Sequence, residues 1–181
     1  LPGVVIDRFG DTAVIQPNAA WAETKIDDLA ATLASVTGVA TIVKNGTGRS
    51  RGLEGLEEET VVLKGKVAGP VAVPMNGATY MADVTGGQKT GLFFDQRDNH
   101  AFAARLAKSA RVLDVFSHVG GFGLAALAAG ADRALAVDGS AAALELATRG
   151  AAAGGMADRF AIRQGDAFDV MEALAAEGTE F

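Results

Sequence analysis

The latter part of the chain alternates two hydrophobic periods. Short apolar runs, "RVLDVF" (111–116), "RALAVDG" (133–139) and "RFAIRQGD" (159–166), have the length of strands, and the first reads as a buried one. Between and after them, "GFGLAALAAGA" (121–131), "SAAALELATRGAAAG" (140–154) and "FDVMEALAAEG" (168–178) read as helices. "NHAFAARLAKSA" (99–110) adds an amphipathic helix ahead of the first strand. Strands alternating with helices of this length predict βαβ units, parallel pairing and right-handed crossovers. The pattern is half of a doubly wound α/β sheet.

The earlier part reads differently. "GVVIDRFGDTAVIQ" (3–16) is two short β-rich runs around "DRFGD", a hairpin pattern. In "AETKIDDLAATLASV" (22–36), Ile26, Leu29, Ala30 and Leu33 fall at helical spacing. "GVATIVKN" (38–45) and "TVVLKGKV" (60–67) are strands, and "GTGRSRGLEGLEEE" (46–59) has the glycine and charge content of a loop. "VAVPMNGATYMADV" (71–84) turns at Asn76-Gly77. A boundary near residue 86 divides the chain into a β-rich α+β module, 1–86, and an α/β part, 87–181.

Composition narrows the class. The 181 residues are 49% hydrophobic and 21% charged, an ordinary globular balance. No apolar run reaches the roughly 18 residues that span a bilayer, and no secretory leader pattern opens the chain, so a cytoplasmic protein without a membrane partner is expected. Cysteine is absent, which removes disulfides, thiolate metal sites and a cysteine nucleophile from these residues. The net charge of −6 is shared evenly between the two parts and is not the basic footprint of a nucleic-acid binder. The local clusters Lys44, Arg49, Arg51 and Lys64, Lys66 read as solvated edge residues.

Candidate chemistry gathers at the strand ends. Asp114, Asp138 and Asp166 close three successive predicted strands, and a glycine-rich turn (Gly120, Gly121, Gly123) follows the first. In doubly wound sheets ligands bind outside the carboxyl ends of the strands. A phosphate loop needs a lysine after its glycines, and none is present. A dinucleotide fingerprint would set a pyrophosphate beside Asp114, which repels it. A carboxylate there suits an ammonium instead. Asp138, 24 residues on, suits ribose hydroxyls, and Asp166 an adenine amino group. Together these describe S-adenosyl-L-methionine. Each aspartate alone also reads as a helix cap or turn residue, and the glycines as a tight turn. Three acids at three consecutive strand ends are harder to explain as caps. His118 reads as a loop residue and His100 as structural. Phe116 and Phe122 read as core, and Phe168 as core or as a ring against the adenine face.

"GLFFDQRDN" (91–99), preceded by "GGQKT" (86–90) and followed by "RVLDVFSHVGGFGLAALAAGA", "AVDGS" and "QGDAF", resembles the bacterial class I methyltransferases that modify carbon 5 of a cytosine in large-subunit ribosomal RNA. "LPGVVIDRFGD" and "GLEG" (52–55) resemble that family's central β-rich module. The resemblance implies a partial Rossmann-like sheet and an RNA-binding, rRNA-processing transferase. By it, Asp114, Phe116, Ser117 and Gly120 would line the methionine end, Asp138 the ribose, and Asp166 with Ala167 the adenine. Gln88, Lys89, Asp95, Gln96 and Arg97 would lie over the pocket mouth, with Arg97 pairing with the cofactor carboxylate. Where the family has Tyr-Thr in the turn, this chain has His118-Val119.

The family's chemistry adds a cysteine thiolate to carbon 6, which makes carbon 5 nucleophilic, and a base then removes the carbon-5 proton. The resemblance implies that this cysteine and an Asp-Pro-Pro motif fall after Phe181, so no catalytic residue is assigned and the chain reads as a fragment holding the cofactor half, inactive alone. A module edge left unpaired could join a second copy as a homodimer. The alternatives are a methyltransferase for a small molecule or protein, a non-catalytic binding module, and, more distantly, a dinucleotide oxidoreductase.

Overall fold

The computed structural model describes residues 2–87 and 90–181. The chain forms two compact units: Leu1–Val71 with Ala82–Phe93, and Ala72–Met81 with Phe94–Phe181.

The first unit holds a four-stranded mixed sheet in the order β1-β2-β3-β4, with β1 Val4–Phe9, β2 Thr12–Pro17, β3 Thr41–Gly46 and β4 Glu59–Lys64. β1 and β2 form the expected hairpin, Phe9 opposite Thr12. Two helices, α1 (Ala20–Thr24) and α2 (Ile26–Thr37), carry the chain from β2 to β3, and these two strands pair in parallel from Thr12 opposite Thr41. The apolar face of α2, with Ile26, Leu29, Ala30 and Leu33, packs on Ala13, Ile15 and Ile42. Cutting Ile42, wholly buried, to alanine would cost roughly 2–5 kcal/mol. Asp27 and Asp28 sit in the first turn of α2, where acids complement the helix dipole. Gly38, left-handed at φ 70°, ends the helix by donating to Ala34 O.

Lys44 and Arg51 are not solvated edge residues. β3 is an inner strand buried at all six positions, so Lys44 is 5% exposed, and Arg51 is 2% exposed. Lys44 Nζ donates to Glu23 Oε1 at 2.8 Å and Glu59 Oε2 at 2.7 Å. Arg51 donates to Glu23 Oε2 at 2.9 Å, to Pro17 O at 2.6 Å and twice to Glu57 O. Burial pushes the Glu23 carboxyl up, but its hydrogen bonds from Lys44 and Arg51 outweigh this and hold it below the usual range. The segment expected as loop also contains a short helix, α3 (Arg49–Leu53), which delivers Arg51 to this cluster.

The second unit begins with the hairpin of β5 (Val71–Met75) and β6 (Ala78–Ala82), placed by the sequence reading in the first module. Asn76 and Gly77, at φ 53° and 77°, make its turn, as an Asn-Gly pair in a two-residue hairpin does. Asn76 Nδ2 donates to Arg97 O at 2.8 Å, and the buried Tyr80 hydroxyl donates to Gly121 O at 3.1 Å. These bonds tie the hairpin to the rest of its unit: a 3-10 turn (Phe94–Gln96), α4 (Arg97–Ala104), and the predicted alternation β7 (Arg111–Val115), α5 (Gly121–Ala128), β8 (Arg133–Asp138), α6 (Ala141–Ala153), β9 (Phe160–Gln164) and α7 (Ala167–Ala176).

The three strands are parallel in the order β7-β8-β9, with Val115 opposite Val137 and Asp138 opposite Gln164. β8 is the middle strand, and Ala136 and Val137 on it are fully buried. Val137 packs with Val170 and Leu174 of α7, joined by Leu113 and Leu135. β7 departs from the buried strand expected. It lies at the edge of this three-stranded sheet, and only Asp114 on it is buried. Among the described residues no helix is long and apolar enough to cross a membrane.

Candidate functional site

Parallel pairing brings the ends of β7, β8 and β9 to one edge of the sheet, and with them Asp114, Asp138 and Asp166. The turn from β7 to α5 is backbone-strained. Phe116 and His118 have φ of 58° and 49°, left-handed values that cost a residue with a side chain roughly 1–2 kcal/mol each. Gly120, at 79°, reaches the same region without that cost. Neighbouring groups hold the turn: Ser117 N donates to Val137 O at 3.0 Å, His118 N to Asp138 Oδ2 at 2.8 Å, and Gly120 N to Ser117 O at 2.8 Å. Strain held this firmly is a mark of functional backbone.

Asp114 is 3% exposed and does not stand open at the edge. Its Oδ2 accepts from Gly123 N at 2.8 Å, so the carboxylate caps α5. Burial raises its pKa to about 6, against the opposing pull of the Gly123 and Phe122 amides, and the charge of Asp138 adds to the rise. Asp138 is half-buried, and its Oδ1 accepts from Ser140 N at 2.9 Å. Asp166 is exposed and is the N-cap of α7, accepting from Phe168 N at 2.9 Å and Asp169 N at 3.3 Å. The cap-or-turn role weighed for each aspartate is therefore real: Asp114 and Asp166 cap helices, and Asp138 holds the turn before Ser140, the N-cap of α6. It leaves Asp138 and Asp166, whose carboxylates have further lone pairs, able to accept from a ligand.

Ser117 is buried, and its Oγ has no hydrogen-bond partner among the described residues. Ala167 is buried beside the Asp166 cap. Phe116 and Phe168 are not core residues: they are 68% and 69% exposed and meet edge to face, ring centroids 6.2 Å apart. The residues around them, on the end of β7 and the start of α7, flank the end of β8. Phe122 packs edge-on against His100 at 4.5 Å. Gln96 accepts from Asn99 Nδ2 at 2.9 Å, and Arg97 is exposed on the first turn of α4. Gln88 and Lys89 lie outside the described residues. A separate hollow lined by Arg111, Arg133, Phe160 and Phe181 opens at the opposite, amino end of the strands. Among the described residues no cluster of three or more His, Asp or Glu side chains is placed to hold a metal.

A sheet with this order, a glycine turn after its first strand and acids at successive strand ends define a class I, Rossmann-like methyltransferase fold. Solved structures share it: a SAM-dependent methyltransferase from Agrobacterium tumefaciens superposes with a TM-score of 0.72 at 19% identity, over 99% of this chain and 55% of that one. A candidate SAM-dependent methyltransferase from Streptococcus mutans gives a TM-score of 0.81 at 22% identity, over 97% of this chain and 46% of that one. The chain belongs to the S-adenosylmethionine-dependent methyltransferase family, whose sequence profile matches residues 56–157. Its relatives include a ribosomal RNA large subunit methyltransferase I from Tolumonas auensis, 40% identical over 83% of this chain and 38% of the relative. A protein of the same name from Shewanella denitrificans is 38% identical over 100% of this chain and 46% of its own length. The chain thus spans less than half the length of these curated relatives.

Proposed function

We propose that the chain is the S-adenosyl-L-methionine-binding part of an enzyme that methylates a cytosine of large-subunit ribosomal RNA at carbon 5. The observation that carries the cofactor reading is the gathering of Asp114, Asp138 and Asp166 at one edge of a parallel sheet, beside a strained glycine turn. The residues present fit the group. Asp138, fixed by the His118 and Ser140 amides, accepts from two ribose hydroxyls. Asp166 accepts from the adenine amino group, and Phe116 with Phe168 offers the aromatic surface that an adenine face packs on. Ser117 Oγ, unpartnered among the described residues, and Gly120 face the methionine end, and Arg97 takes its carboxylate. Gln96 belongs to the mouth. Asp114 acts through the α5 amides it accepts from, holding the turn at its working height. When bound, the cofactor supplies a methyl group on a sulfonium centre.

The RNA target rests on the relatives' names and on the motif resemblance. The thiolate that activates carbon 5 in that chemistry is not among these 181 residues, which contain no cysteine. Calorimetric titration of the chain with S-adenosylhomocysteine and, separately, with NAD tests the cofactor reading. Binding of the first and not the second supports it, and binding of NAD alone refutes it. Appearance of 5-methylcytidine in unmodified large-subunit RNA treated with the whole protein tests the target.

A further inference from the structure

The buried ring of His100 is not one of the groups that would touch the cofactor. His100 sits on α4, 5% exposed, with Nδ1 buried and without a hydrogen-bond partner among the described residues. Its ring is held on two sides, stacked on Tyr80 with centroids 6.3 Å apart and edge-on to Phe122 at 4.5 Å. Burial keeps its pKa below the usual histidine value, despite the opposing charge of Asp95, so the ring is neutral around pH 7. A buried polar atom left unpaired is rare.

The Nε2 side of the ring meets Gly121, the first residue of α5. Gly121 is not among the left-handed glycines, so its backbone would accept an alanine. The space would not: a Cβ there would stand 2.6 Å from His100 Nε2 and 2.7 Å from Cε1. The missing side chain of Gly121 and the ring of His100 are therefore two halves of one steric fit. That fit comes one residue after the strained turn and two before the amide that Asp114 accepts from.

We propose that His100 is a positioning residue for the cofactor turn, the wedge that sets the height of Gly120 and Gly121 above the sheet. This rests on the reading of the turn as part of a cofactor site. The missing Gly121 side chain would point at His100, so filling it does not itself crowd a ligand at the strand ends.

The test is a complementation series: His100→Ala, Gly121→Ala and the double variant. Each is titrated with S-adenosylhomocysteine by calorimetry, with a thermal melt beside it and the amide resonances of Gly120, residue 121 and Gly123 read by NMR without ligand. Each single variant is expected to lose about tenfold or more in affinity in its folded form. The double variant, with a methyl in the space the ring vacated, regains most of that loss and returns the glycine resonances toward their wild-type positions. If Gly121→Ala does not fold, the comparison is between His100→Ala and the double variant, and the double must bind more tightly. A merely structural histidine would shift the melt of His100→Ala and leave the affinity and the glycine amides unmoved, which overturns the proposal, as does a double variant no better than His100→Ala. Failure of the wild-type chain to bind S-adenosylhomocysteine would refute the cofactor reading instead, and the ligand-free resonances would still decide the wedge.

Discussion

Replacing Asp114 by asparagine should make the protein more stable at neutral pH and leave it unchanged in acid. The carboxyl titrates at about 6 in the folded chain against an ordinary 3.8, chiefly because it is buried. A carboxyl whose folded value is raised binds its proton more tightly in the folded state. Folding stability therefore falls as pH rises from about 4 to about 6, and stays at the lower level above that. At 1.36 kcal/mol for each pH unit of displacement, the ionised carboxylate costs the fold up to about 3 kcal/mol at pH 7–8. Asparagine resembles the protonated acid: it is neutral and its carbonyl can still accept from Gly123 N, now 2.8 Å from Asp114 Oδ2. Urea unfolding followed by circular dichroism, on both proteins at each pH from 4 to 8, gives the difference directly, and other titrating groups cancel. Asp114→Asn should match the wild type near pH 4 and exceed it by up to about 3 kcal/mol at pH 8. A variant less stable than wild type at pH 8, or a gap that does not change with pH, would refute the account.

Glu23→Gln should cost about 3 kcal/mol, because it strips the shared anion from two buried cations, whereas Lys44→Met should cost under half as much, since Glu23 keeps Arg51 and Glu59 is 60% exposed; the fluorescence of Trp21, the one tryptophan, reports unfolding of the first unit, and equal losses would count against a network built on one shared anion. Asp138→Ala should weaken S-adenosylhomocysteine binding at least tenfold in calorimetry and also lower the melting temperature by a few degrees, as the His118 and Ser140 amides lose their acceptor. Phe168→Ala, at a ring 69% exposed, should leave the urea midpoint within about 0.5 kcal/mol of wild type and weaken ligand binding measurably; a stability loss with unchanged affinity would make the ring structural.

What could be read in the sequence was whatever local chemistry decides. Val112–Leu113, Leu135–Val137 and the alanine-rich runs after each strand signal their elements by period alone, Ser140 caps α6 through its own side chain, and Asn76-Gly77 dictates its turn. What stayed hidden depends on partners distant in sequence. The burial of Lys44 rests on Glu23 and Glu59, 21 and 15 residues away, and on β3 lying inside the sheet. Nothing adjacent to Phe116 or His118 signals a left-handed backbone; bonds to Val137 and Asp138 impose it. The acids themselves were legible at the strand ends, but not that the first would be sealed under α5, because a cap formed across nine residues leaves no local trace. The hairpin at Asn76 was legible as a hairpin, yet its allegiance to the second unit was not, since Tyr80 reaches a carbonyl 41 residues later.

Two of the three carboxylates at the strand ends share a property that matters for recognition. Asp138 and Asp166 are each clasped by two main-chain amides before any ligand arrives. A molecule that docks on them meets side chains whose rotamers are already frozen, a saving of about 0.5–1.5 kcal/mol for each group that need not be immobilised on contact. Such a rim selects for the shape it was folded to fit and concedes little to a ligand that would require either acid to turn.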